Sequence, residues 1–267
     1  MPAGAALVAA AASGRDHAAM RVPRSTSWAA GRCARGLAVA AALLASPPVG
    51  GADESLSNAQ VVDNLMEIVF GSEFVGEDSN VVRKWTVPLR IAIYAKEPQR
   101  YGALVEPVLQ QLRGLTGLDM RLVDRAAPAQ NAYILILGRE QFYAYAQSHL
   151  SPGKNPRTNT YLDCFGVFAA DRGGAINELT AVIPESASET TKRSCVTEEV
   201  AQALGLPNDS FTVKPSIFND DDEYQDLTWQ DRLFLRVVYD PRVRPGMTRG
   251  AFEPLAKRIV GELRPGH

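Results

Sequence analysis

Histidine is almost missing from this chain. Its 267 residues contain only His17, His149 and His267, far apart in sequence. Protein zinc centres draw chiefly on His and Cys, so no histidine cluster is at hand to build one. A serine or cysteine nucleophile needs a base beside it, and only His149 lies inside the body of the chain. No G-x-S-x-G, phosphate-binding loop or dinucleotide fingerprint occurs either. Long runs of Lys and Arg are absent, and the 28 basic and 30 acidic residues leave a formal charge of −2. That argues against nucleic acid, whose phosphates need a concentrated basic face. The second half holds no apolar stretch of the roughly 20 residues that a spanning helix requires.

What is present suits one globular domain, with 46% hydrophobic and 22% charged residues. The first 52 residues differ from the rest, being rich in Ala, Arg and Pro. Arg32 and Arg35 precede an apolar run, Leu37 to Ala45, followed by Pro47-Pro48 and the small residues Gly50 and Ala52. This is the layout of a secretory signal. Residues 1–52 are therefore expected to be an N-terminal extension and signal peptide, with Met20 a candidate true start, and 53–267 a single domain in the periplasm or outside the cell. Cys33 precedes the apolar run, which leaves Cys164 and Cys195 in the exported part. An even pair in an oxidising compartment predicts a disulfide, with a stabilisation of roughly 3–4 kcal/mol from loop closure. A zinc site on these two cysteines would need two more ligands, which the histidines do not supply.

Along this domain Ser57 and Gln60 form a capping-box pattern ahead of a helix that aligns Val61, Leu65, Ile68 and Val69. "VPLRIAIYA" alternates as a strand, Tyr101 to Thr116 is helical with Gly117 as its stop, and "DMRLVD" is a short strand. "AYILILG" is apolar throughout, as in a central strand covered on both faces. A polar loop with Pro152, Gly153 and Pro156 follows, then strands "DCFGVFAA" and "ELTAVIPE" around Gly173-Gly174. A second capping box, Thr228 to Asp231, opens a helix packing through Trp229, Leu233, Phe234 and Val237, and a last helix aligns Phe252, Leu255, Ile259 and Leu263. The order predicts an α+β domain, a small mixed sheet packed on helices with C-terminal helices.

The stretch "CVTEEVAQALGLPNDS" carries the chemistry. At about 100° per residue, Glu198, Glu199, Gln202 and Gly205 share one side of a helix, and Val196, Val200, Ala203 and Leu204 the other. Cys195 is expected to pin the start of this helix, and Gly205, Leu206 and Pro207 to end it. On pattern alone the polar side is a solvated face. Its spacing, E-E-x-x-Q-x-x-G-x-x-N, nonetheless matches the H-E-x-x-H-x-x-G-x-x-H frame of metzincin zinc peptidases. "SIFNDD" and "LTWQDRLFLRVVYDP" resemble the turn and helix that follow in matrixin-type zincins, with Phe218 at the methionine position. The resemblance implies a zincin-like fold with a degenerate zinc helix. Glu199 stands at the general-base position, and Glu198, Gln202 and Asn208 stand where the zinc histidines would be.

No metal is expected from that set. Glu, Gln and Asn suit at most a weakly held Ca²⁺ or Mg²⁺. Without a metal nothing lowers the pKa of a water, so Glu199 is catalytic only if a cation binds. "FGSEF", "KWTVPLRIAIY", "LRGLTGLDM", "PSIFNDDDEY" and "VVYDPRVRPGM" also resemble an uncharacterised family of exported bacterial proteins, a domain of unknown function that supplies no catalytic residues. Adjacent Glu198 and Glu199 point about 100° apart and do not form a facing acid–base pair. The run Asp220 to Glu223 lacks the spacing of a Ca²⁺ loop and reads as a solvated turn. Three functions follow. The first, which the missing ligands favour, is a non-catalytic zincin-like domain binding a peptide, protein or envelope component. The second is a divergent metal-dependent hydrolase using Glu198, Glu199, Gln202 and Asn208. The third is a structural domain with no function at this helix.

Overall fold

Capping chemistry sets where the helices begin. The Ser57 hydroxyl accepts the Gln60 N–H while the Gln60 side chain accepts the Ser57 N–H, and helix α1, Asn58–Phe70, starts there. A computed structural model describes residues 56–71, 80–150, 164–219, 221 and 224–266, all within one compact unit, Asp53–His267. The expected extension and signal peptide, the polar loop after residue 150 and most of the Asp220 to Glu223 run lie outside the described residues. After α1 come β1 (Lys84–Trp85), β2 (Leu89–Tyr94), α2 (Pro98–Thr116), β3 (Met120–Leu122), β4 (Ala132–Leu137) and α3 (Arg139–His149). Then follow β5 (Phe165–Ala170), β6 (Ala175–Pro184), α4 (Glu189–Gln202), α5 (Trp229–Val238) and α6 (Arg249–Leu263).

The strands form one sheet in the order β1-β6-β4-β2-β3, with β5 paired to β6. Four pairings are parallel, and β5 against β6 is antiparallel. "AYILILG" is uniformly apolar because β4 lies between β6 and β2 with both faces covered. Ile134 and Ile136 join the main core, which includes Leu109 and Leu112 of α2 and Val196 and Val200 of α4. Leu135, pointing the other way, is buried on the face where α3 packs on β4 and β6. There the Phe142 ring meets Phe165 edge-on at 5.4 Å.

Helix α3 is the element that the sequence pattern does not reveal. Only Phe142 and Ala146 of its stretch are buried, too few to print a helical period. Its presence revises the fold class. The sheet is mixed and packed on helices as expected, but its strands are mostly parallel and alternate with helices, so the domain is α/β in organisation. The start of α4 also differs from expectation. Ser188 accepts the Thr191 N–H and begins the helix at Glu189, so Cys195 lies in its middle. The second capping box forms as read, with Thr228 and Asp231 opening α5. Helices α1 and α6 close the domain through Phe70 and Phe252, 5.8 Å apart.

Candidate functional site

From Cys195 onward helix α4 is buried on nearly every side. Val196, Val200 and Leu204 have no exposure, and the polar Thr197, Glu199 and Gln202 are buried too, at 0%, 4% and 6%. The solvated face expected from the pattern is therefore covered. Strand β5 covers Glu199, and the start of that strand is tied to the helix. Cys164, immediately before β5, forms a disulfide with Cys195, with Cα atoms 5.9 Å apart. One helical turn further on, Glu199 lies against the backbone of Gly166. A β-carbon at position 166 would sit 2.6 Å from Glu199 Oε2, so the glycine makes room for the acid.

Glu199 Oε2 is buried with no hydrogen-bond partner among the described residues. Its burial raises the pKa well above the ordinary carboxylate value, and the negative charge of Asp209 adds to the shift. Glu198 is half-buried beside it. One carboxylate oxygen of each glutamate and the Cys164 sulfur all lie within 4.8 Å of one another. The backbone directions of adjacent residues diverge, yet both long side chains bend towards the same sulfur.

Gln202 and Asn208 are engaged differently. Gln202 Nε2 donates to Asp209 Oδ1 at 2.6 Å. Asn208 stands against Gly71 at the end of α1, where a β-carbon would come within 2.3 Å of its Cγ. Beside it Ser210 Oγ donates to Glu67 Oε1 at 2.5 Å, fixing the loop after α4 onto α1. An amide donating to an aspartate, a second amide packed on a glycine and a half-buried carboxylate do not fit a zinc-peptidase ligand set. Phe218 is fully buried in a turn that Asp231 holds. Asp231 accepts from Ser216 Oγ at 2.6 Å, Ile217 N at 3.0 Å and Thr228 N at 2.8 Å. Gly166, Asp209 and Asp231 thus shape the site; the capping box marks Asp231 in the sequence, and no spacing marks the other two. His149 sits elsewhere, at the end of α3, stacked on Tyr145.

The buried acid gives a pH signature. Its folded pKa exceeds the unfolded one, so the folded chain holds the proton more tightly. That stability is complete below the ordinary carboxylate range and is lost as pH rises through the raised folded value. Glu199→Gln cannot ionise and escapes the loss. The melting temperature of the variant, relative to wild type, is expected to climb as pH rises from the ordinary carboxylate range through the raised folded value. Asp231, also shifted up by burial, is common to both proteins and cancels in the difference. Thermal melts across that range check it, and a flat difference would show that Glu199 ionises freely.

No curated protein matches the chain. The model of a family described as a protein of unknown function (DUF2927) matches residues 58–258, from the first residue of α1 into α6. The chain belongs to the DUF2927 family.

Proposed function

We propose that the chain is an exported, non-catalytic domain of zincin-like descent that binds an extended peptide or protein segment, free or as part of an envelope component, along the open edge of β5. The observation that carries this reading is the position of Glu199. The residue at the general-base position is 4% exposed and lies beneath the Gly166 backbone, where no substrate carbonyl reaches it. Hydrolysis needs that carboxylate at the surface of a cleft. Immediately above it, β5 pairs with β6 and with no second strand among the described residues. An unpaired strand edge offers backbone donors and acceptors to an incoming segment. Gly166, Val167 and Phe168 along it are half-buried, and Ala169 and Ala170 are exposed. Export is supported by the Cys164–Cys195 disulfide, and no helix among the described residues is long and apolar enough to cross a membrane.

Peptides selected from a randomised displayed library should bind the purified chain and slow amide exchange across Phe165–Ala170 by about tenfold or more. Hydrogen-exchange mass spectrometry reads this directly. A library that yields no binder, binding that leaves the β5 amides unchanged, or metal-dependent peptide cleavage lost in Glu199→Gln would each overturn the reading.

A further inference from the structure

The corner where β5 meets α4 holds three candidate ligand atoms. Cys164 Sγ, a Glu198 oxygen and a Glu199 oxygen lie within 4.8 Å of one another. In the disulfide the Cys164 sulfur carries no thiolate charge and is a poor ligand. We infer that reduction of the Cys164–Cys195 disulfide creates a zinc site, with the Cys164 thiolate and the Glu198 and Glu199 carboxylates as its ligands.

An acidic pair near a cysteine does not make a site by itself. The second observation is Glu199 Oε2, which is buried and has no partner among the described residues. Buried polar atoms are nearly always satisfied, and an orphan points to something that pairs with it. A cation at this corner supplies that partner and compensates the burial of the carboxylate. The ligand chemistry selects the ion. Thiolate disfavours Ca²⁺ and Mg²⁺, whereas Zn²⁺ takes thiolate at about 2.3 Å and carboxylate at about 2.0–2.2 Å. Ligands around one tetrahedral ion at those lengths stand roughly 3.3–3.8 Å apart, so side-chain rotation of about an ångström closes the observed cluster on it. Water completes the tetrahedron. Adjacent glutamates on α4 thus supply, beside the single Cys164 thiolate, ligands that the histidines do not.

The redox step balances with a dithiol as reductant. Its two thiols deliver two electrons and two protons, the S–S bond between Cys164 and Cys195 breaks, both cysteines leave as thiols, and the reductant departs as its own disulfide. Cys164 and any protonated carboxyl then release their protons on binding the ion. The disulfide is therefore an off state for metal, and the reduced pair an on state.

The test uses the purified full chain and Zn²⁺ titrated against a chromogenic chelator. Three forms are compared: oxidised wild type, wild type reduced by a dithiol that is then removed without oxygen, and Cys195→Ser, which leaves Cys164 permanently free. The reduced and Cys195→Ser forms should each bind one Zn²⁺, about 100-fold or more tighter than the oxidised form. Adding Glu199→Gln or Glu198→Gln to Cys195→Ser should weaken binding about tenfold or more, and Cys164→Ser should abolish it. Circular dichroism follows the fold in every form. Equal affinity in oxidised and reduced wild type, or binding that survives Glu199→Gln, overturns the inference. If Cys195→Ser does not fold, reduced wild type decides the matter. A reduced wild-type chain that unfolds overturns it as well, because the site needs β5 and α4 in place.

Discussion

Gly205→Ala is expected to lower the free energy of unfolding by about 3 kcal/mol or more. Gly205 follows the last turns of α4 with φ at +111°, a region that side chains with a β-carbon rarely enter. An added β-carbon would also stand 2.3 Å from the Arg83 carbonyl oxygen. That oxygen belongs to the backbone leading into β1, which cannot swing away. Trp85 Nε1 donates to the Ala203 carbonyl at 2.8 Å, Lys84 Nζ donates to the Val243 carbonyl at 2.9 Å, and Lys84 N donates to the Gly174 carbonyl at 3.0 Å. Relief of the clash would break one or more of these. Gly114→Ala, inside α2 with nothing within 4 Å of its added carbon, is the control. It should raise stability by about 0.5–1 kcal/mol through helix propensity alone. Urea unfolding of both variants measures the pair. A Gly205→Ala loss under about 1 kcal/mol would show that the turn after α4 is free to reshape.

The sequence makes this glycine legible for a local reason and hides what it touches. A helix stop of the form A-L-G-L-P is written in neighbouring residues, as are the Ser57 and Thr228 capping boxes, and all three form. The continuously apolar β4 announces its own double burial. The long-range parts of the site carry no such mark. Gly166 looks like any strand glycine until Glu199 is seen beneath it, and the pairing of Gln202 with Asp209 depends on how the chain turns after Gly205. The polar residues of α4 were legible as a set sharing one helix side. That Glu199 is buried follows from β5 lying over it, a tertiary fact. Helix α3 escapes for the opposite reason, since a helix that buries two side chains leaves no periodic trace.

Reduction of Cys164–Cys195 is expected to cost about 3–4 kcal/mol of stability. The bridge closes a loop with a sequence separation of 31, and the chain-entropy relation gives that magnitude for such a length. Domains of this size are typically stable by about 5–15 kcal/mol, so the reduced chain is expected to stay folded in mild conditions with a lower denaturation midpoint. The loss should not be spread evenly. Among the described residues β5 pairs with β6 and no second strand, whereas β4 is held between β6 and β2. Amide exchange is therefore expected to accelerate first across Phe165–Ala170, while Ala132–Leu137 responds only through global opening. Paired urea titrations and exchange measurements on oxidised and reduced protein check both parts. A midpoint unchanged on reduction would mean that α4 and β5 hold together without the bridge. Uniform acceleration would mean that β5 opens only with the whole domain. The expected pattern has a functional consequence, because the edge proposed to receive a peptide and the cover over Glu199 are the same strand. A domain whose binding edge is held down by one disulfide keeps that edge ordered in an oxidising compartment and loosens it where dithiols are abundant.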